Sequence, residues 1–268
     1  MLQSRAWIIK LAVLVLLLLL SMLGIYAHYH GGLRHNACHM LHKGHETLLD
    51  MQEHSLYGGI MAGKTINCLG DSITEGYKND ELSWVDRLPM LIGAHVRKYG
   101  IGGSTISAYV DEHPMCQRYA DMDAEADCVV IFAGNNDFTR SVPLGDKDSR
   151  DEKNFYGALN IMLSGLRDKY PKGEFLFVTP LKMWHYTHPN WKMPVEYDAF
   201  NEQGLSLNDY RKAIIDRCEY YGIPVLDMYT KGIYGRTDKT REMVYVDGLH
   251  PNDKGHRLLA RQIARALN

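Results

Sequence analysis

Positive charge is not in surplus in this 268-residue chain: 30 lysines and arginines stand against 32 aspartates and glutamates, a formal net charge of −2. Arg5 and Lys10 are the only charged residues ahead of position 28, so the rest is more acidic still. Phosphate backbones are held by lysine and arginine, and this balance argues against nucleic acid as a partner. Cysteines are few and odd in number: Cys38, Cys68, Cys116, Cys128 and Cys218. Cys68 and Cys128 lie in strand-like runs and Cys218 on a helix face, so these three read as small buried hydrophobes. A Cys38–Cys116 bridge is the one pairing left, and nothing in the spacing supports it. No cysteine closely follows the apolar N-terminal run, which excludes a lipoprotein. No internal repeat and no linker interrupts residues 64–268. With 46% hydrophobic and 23% charged residues, the composition is globular, neither disordered nor collagen-like.

What is present begins with an apolar head. From Ala6 to Ala27, 19 of 22 residues are apolar, broken only by Lys10, Ser21 and Gly24. That length suits a membrane span, and a lysine near its end can reach the interface. Residues 1–27 therefore read as a membrane anchor, with a cleaved signal as the alternative; Ile25-Tyr26-Ala27 is a poor cleavage site. Arg5 and Lys10 keep the N-terminus cytoplasmic, so the body is expected outside the cell. Residues 28–63 read as a polar juxtamembrane stalk, and positions 28–54 hold seven of the 13 histidines. His35, Cys38, His39 and His42 share a helical face, but Gly31, Gly32 and Gly44 break the helix and no carboxylate completes a metal set. No metal is expected.

Gly58 to Thr65 satisfies the G-x-x-x-x-G-K-[ST] phosphate-loop pattern. That loop works between a strand and a helix whose N-terminus holds the phosphates. Here a strand-like run, Thr65 to Leu69, follows it and a polar, helix-like segment precedes it. The context is reversed, and no nucleotide is expected.

From residue 64 onward, apolar runs alternate with amphipathic ones. Ile66–Leu69, His95–Tyr99, Cys128–Ala133, Phe175–Thr179 and Pro224–Met228 read as strands. The third and fourth lack polar alternation, as strands buried on both faces do. Phe155, Leu159, Met162 and Leu166 recur at helical spacing, as do Leu207, Tyr210, Ile214 and Cys218 behind a Ser206-x-x-Asp209 cap. Asn252 to Leu267 reads as a final helix. The pattern predicts one α/β domain over 64–268, a three-layer α/β/α sandwich with ligands at the carboxyl ends of its strands.

Those ends hold the unusual residues: Gly70-Asp71-Ser72-Ile73-Thr74-Glu75-Gly76, Gly100-Ile101-Gly102-Gly103-Ser104, Gly134-Asn135-Asn136-Asp137 and Asp247-Gly248-Leu249-His250-Pro251. Singly, such glycines turn chains and such acids cap helices. Together on one sheet edge they supply what acyl transfer needs: a hydroxyl nucleophile, a base, an acid to orient the base, and oxyanion donors. Ser72 stands where a strand turns into a helix. Asp247 and His250, three apart, can orient an imidazole towards it. Gly103 offers a backbone N–H and Asn136 a side-chain amide. Asp71 and Asp137 read as structural braces.

These four ordered blocks resemble those of the SGNH (GDSL-type) hydrolases, and the likeness runs from about Ile66 to the C-terminus. The second block departs in having Lys98-Tyr99 ahead of Gly100, where the family often has asparagine. The resemblance implies a flavodoxin-like five-stranded parallel sheet, no cofactor, and ester hydrolysis through an acyl-enzyme on Ser72. Catalytic roles then fall to Ser72, Asp247 and His250, and the oxyanion hole to Ser72, Gly103 and Asn136. After the fourth strand, Trp184, Tyr186 and Trp191 offer flat faces for sugar rings among polar neighbours. A short, acetyl-like ester on carbohydrate is the expected substrate. A lysophospholipase or thioesterase of the same family, or a catalytically silent glycan-binding module, is the alternative.

Overall fold

Parallel strands buried on both faces need apolar runs, and the chain lays five of them side by side in a computed structural model that describes residues 59–80, 82–184, 199–233 and 242–268. The strands are β1 (Thr65–Gly70), β2 (His95–Gly100), β3 (Cys128–Phe132), β4 (Glu174–Val178) and β5 (Val225–Leu226). All pair in parallel in the order β2-β1-β3-β4-β5. This is the α/β/α sandwich expected from the sequence. Connecting them are helices α1 (Ser72–Glu75), α2 (Leu88–Ile92), α3 (Met115–Arg118), α4 (Asn135–Thr139), α5 (Phe155–Lys169), α6 (Leu207–Tyr220), α7 (Met228–Lys231) and α8 (Asp253–Leu267). α5 packs against α3 and α6, while α8 packs against α2 and β4.

Local chemistry sets the helix ends. Asn154 and Asn252 cap α5 and α8 by accepting the N–H of Gly157 and Gly255 at 2.8 and 3.0 Å. Ser206 and Asp209 form the anticipated capping box on α6. The core is aromatic around the sheet, with Trp84, Phe132, Phe138, Phe155, Phe177 and Tyr210 fully buried. Tyr210 stacks edge-on against both Phe138 and Phe155. Edge strand β2 is the polar exception: none of its residues is buried, and Arg97 and Lys98 reach sideways to Asp123 and Asp86.

Three strand expectations need correction, the smallest being β4, which runs Glu174–Val178 and so starts and stops one residue before the expected Phe175–Thr179. β5 has two residues instead of five, because Asp227 leaves the ladder to hold the Arg211 guanidinium and accept the hydroxyls of Thr179 and Thr230, and Met228 then opens α7. β3 stops at Phe132, one residue early, where Gly134 turns the chain at φ +112°. Cys68, Cys128 and Cys218 are buried thiols in the expected elements; Cys116 is buried and free, and Cys38 lies outside the described residues. Lys64 leads into β1 and its ammonium meets Glu174 at 3.2 Å, so the phosphate-loop pattern is not followed by a helix. Residues 1–58, with the expected anchor and most of the expected stalk, also lie outside the described residues; within the stalk's last residues, 59–63, Met61 is buried in the domain core and Gly63 N–H donates to the Gly93 carbonyl at 2.9 Å. Among the described residues no helix is long and apolar enough to cross a membrane.

His256 on α8 is wholly buried, and neither ring nitrogen has a hydrogen-bond partner among the described residues. Burial, helped by the Arg87 charge, pushes it down from 6.5 to about 3. The unfolded chain therefore binds a proton at this site between about pH 6.5 and 3 that the folded chain refuses. Stability from His256 is intact above that window and falls as pH drops through it, by up to about 1.4 kcal/mol per pH unit. Buried Asp71 and Asp137, both raised, act in the opposite direction, so the comparison must be between variants. Urea unfolding of His256→Gln and parent from pH 7 to 4 should show the parent losing stability more steeply; parallel profiles would contradict this.

Candidate active site

At the carboxyl end of β1 the chain must reverse at once, since Gly70 lies in register with Gly100 of β2 and Phe132 of β3. Asp71 begins the turn: its Oδ1 accepts the Ile73 N–H at 3.0 Å and caps α1. Ser72 is thereby the first helical residue, where backbone N–H groups have no intrahelical acceptor. The helix lasts four residues because Gly76 ends it in the left-handed region. Gly100 explains how α1 sits so close to β2: a Cβ there would lie 2.3 Å from the Glu75 nitrogen.

The second block is a tight turn. Ser104 N–H donates to the Ile101 carbonyl at 3.1 Å, and Gly103 at its third position has φ +73°. Only glycine adopts that angle readily, which separates Gly103 from Gly102. A Cβ on Gly103 would meet the Arg140 guanidinium at 2.9 Å; one on Gly102 would meet Glu75 Oε2 at 2.8 Å. Charged groups of both signs therefore flank this turn.

The third block braces the second. Asp137, fully buried, accepts the N–H groups of Ile106 and Ser107 at 3.0–3.1 Å. Asn135 exchanges hydrogen bonds with both backbone groups of Leu181, pinning the loop after β4. Asn136, half-buried, donates its amide to the Ser104 carbonyl at 3.0 Å and reaches Asp71 Oδ2 at 3.4 Å. It thus bridges the first two blocks.

The fourth block folds on itself. Val246 N–H donates to the His250 carbonyl at 2.8 Å, and Asp247 Oδ1 accepts the N–H of Leu249 and His250 at 3.1 and 2.8 Å. Asp247 Oδ2 lies 2.8 Å from His250 Nδ1, and His250 Nε2 lies 3.0 Å from Ser72 Oγ. A carboxylate can only accept, so Nδ1 carries the ring proton and Nε2 is left to accept from the serine hydroxyl. Ser72 and His250 are both 6% exposed, dry enough for strong hydrogen bonds but open to a small molecule.

Of the residues singled out in the sequence, Ser72, Gly103, Asn136, Asp247 and His250 stand at the carboxyl edge of the sheet. Trp184 is half-buried beside this edge, its backbone N–H donating to the Gly248 carbonyl at 2.9 Å. Tyr186 and Trp191 lie outside the described residues. The sequence did not flag Arg118, Tyr77 or Lys78. Arg118 donates to the carbonyls of Gly70 and Tyr99 and so clamps the ends of β1 and β2. Tyr77 meets the His250 ring edge-on with centroids 4.9 Å apart, and Lys78 Nζ lies 2.8 Å from Asp247 Oδ2. Adjacency to the first block was the only signal for Tyr77 and Lys78, and Arg118, on a short helix far along the chain, had none.

Electrostatics separates the carboxylates. Burial acts to raise Asp247, but the hydrogen bond and charge of His250, with Lys78 and the His250 N–H, hold it well below the usual range. Asp71 is pushed up to about 6 by burial, against the Ile73 N–H and the nearby cations. Burial likewise pushes Asp137 up to about 7 despite its backbone donors. Among the described residues no cluster of histidine, cysteine or carboxylate suits a metal ion.

The bracing role of Asp137 is measurable. Asp137→Ala strands the buried N–H groups of Ile106 and Ser107, and should lower unfolding free energy by about 1–3 kcal/mol. Urea denaturation checks this; an unchanged midpoint would contradict it.

Residues 68–258 match the GDSL-like lipase/acylhydrolase family. One solved structure shares 35% identity over 77% of this chain and 97% of its own length, with a TM-score of 0.71. A protein from Lactobacillus plantarum shares 30% identity over 78% of this chain and 98% of its own, with a TM-score of 0.67. An acetylxylan esterase from Geobacillus stearothermophilus, seen as a catalytic mutant, shares 19% over 78% and 96% with a TM-score of 0.53, a likeness of fold. No curated protein matches the chain. With its sheet order, its four blocks and this match in agreement, the chain belongs to the GDSL-like lipase/acylhydrolase family and is a hydrolase of ester bonds.

Proposed function

We propose that the chain is a serine esterase that removes short, acetyl-like acyl groups, most naturally from carbohydrate, through an acyl-enzyme on Ser72. The observation that carries this reading is the hydrogen-bonded chain Ser72–His250–Asp247, at 3.0 and 2.8 Å. Ser72 Oγ attacks the ester carbonyl while His250 Nε2 takes its proton, and Asp247 steadies the imidazolium. The negative charge formed on the carbonyl oxygen faces the N–H groups of Ser72 and Gly103 and the Asn136 amide. Asn136 spends its shorter bond on the Ser104 carbonyl, so its long contact to Asp71 is the one an oxyanion replaces. His250 then protonates the leaving alcohol. Water, deprotonated by the same nitrogen, releases the acid and restores Ser72.

The polar flanks of the glycine turn, Glu75 and Arg140, favour a small acyl group on a hydroxylated alcohol. The acetylxylan esterase of like fold and the half-buried Trp184 agree with a sugar partner. A second reading has its own observation. Tyr77, Ile101, Tyr109, Val110, Met243 and Val246 are exposed, large and apolar, and all lie on segments bearing the site. That rim would suit the longer acyl chain of a lysophospholipid or thioester.

Ser72→Ala and His250→Ala should each cut turnover on p-nitrophenyl acetate by about 10⁴ or more, and Asn136→Ala by roughly 10²–10³. Parental turnover by Ser72→Ala would refute the nucleophile. Acetate release from acetylated xylan, measured beside p-nitrophenyl esters of two to twelve carbons, decides the acyl group; a steep preference for eight or more carbons without acetate release favours the second reading. We also propose that Ala6–Ala27 anchors an outward-facing domain in the membrane, on the strength of its apolar run and the flanking Arg5 and Lys10. Protease added to intact cells should then digest the domain, and full-length protein in the cytosol would refute the anchor.

A further inference from the structure

Asp247 Oδ2 is shared. It accepts the His250 Nδ1 proton at 2.8 Å and, at the same distance, a hydrogen bond from the Lys78 ammonium. Esterase chemistry of the kind proposed above needs an acid, a base and a nucleophile, and has no use for a cation on the acid. Lys78 is nonetheless held there at some cost, because its backbone sits at φ +61°, a region that non-glycine residues seldom occupy. It arrives from the nucleophile's own element: Gly76 and Tyr77 both donate their N–H to the Ser72 carbonyl at 3.0 Å. Tyr77 lies edge-on to the His250 ring, and the ammonium stands 5.6 Å from the centre of the same tyrosine. The segment 76–78 thus runs from Ser72 across His250 to Asp247.

We propose that Lys78 is a positioning residue that fastens the Asp247 carboxylate to the Ser72 helix and offsets part of its charge, extending esterase activity to lower pH. The inference rests on the serine-esterase reading. A carboxylate whose charge is partly offset attracts positive charge on its hydrogen-bond partner less, so the acid limb of activity is placed at lower pH. Among the described residues, the other titratable groups near His250 are Asp71 and Tyr77 on the Ser72 side and His256 on α8. None of them contacts Asp247 Oδ2 as Lys78 does.

The test uses the full chain, with kcat and KM for p-nitrophenyl acetate followed from pH 4 to 9 in the parent, Lys78→Met and Lys78→Arg. A fluorophosphonate probe reports independently on Ser72. Lys78→Met should lower kcat by about 2- to 5-fold, as the loss of a partly exposed ion pair allows, with KM unchanged within about 1.5-fold. The acid limb of its kcat/KM profile should move up by about half a pH unit. Lys78→Arg should recover most of both. If the probe labels Ser72 in the parent while Lys78→Met matches the parent in kcat and acid limb, this inference fails and the esterase reading stands. A fall in kcat with an unmoved acid limb and no recovery by arginine also overturns it, as general damage to the loop. If the probe does not label parental Ser72, both readings fall together.

Discussion

Parallel pairing of β1 with β2 on one side and β3 on the other is the constraint on which the rest depends. Three strands that rise in the same direction and in register must end together, and their loops must then share one small area. Gly70 aligned with Gly100 and Phe132 fixes where that area lies. The connection from β1 runs to β2 on one side and that from β2 crosses back to β3 on the other, and the end of β1, where the order reverses, is where such sheets place their ligands. Ser72, the glycine turn and Asn136 are delivered there by topology before any of their own interactions form.

Crowding three loops into one place creates a second requirement, that their buried backbone groups find partners. The polar residues of the blocks, with Arg118 from outside them, meet it. Asp71 serves Ile73, Asp137 serves Ile106 and Ser107, Asn135 serves Leu181, and Arg118 serves the carbonyls of Gly70 and Tyr99. Nearly all of these hydrogen bonds go to backbone, and only Asp71 also reaches a proposed oxyanion donor, the Asn136 amide. A four-residue helix could not hold a serine steady by its own ladder, and these contacts hold it from outside.

How much was legible in the sequence follows from the range of the interactions involved. Strand and helix positions came from hydrophobic period, and cap chemistry placed the start of α6 because Ser206 and Asp209 act over three residues. β5 failed because Pro224 to Met228 has a strand's composition but Asp227 answers to Arg211, far away in α6. The four blocks stood out because glycine, serine, aspartate and histidine are conspicuous beside apolar runs. Lys78 and Arg118 were invisible for the opposite reason: an exposed lysine after a turn and an arginine on a short helix look ordinary until the fold brings Asp247 and the strand ends to them.

The sheet's two margins carry a different consequence. One is a strand without a buried residue whose Arg97 and Lys98 are tied off to Asp123 and Asp86; the other is a pair of residues that ends in a helix. Neither presents a long, flat row of open amides and carbonyls to a stranger. Two copies meeting edge to edge cannot extend one sheet into the next without displacing charged side chains or lengthening β5. Among the described residues, strand addition at either margin therefore meets charge on one side and a two-residue strand on the other, which disfavours a sheet that grows from copy to copy.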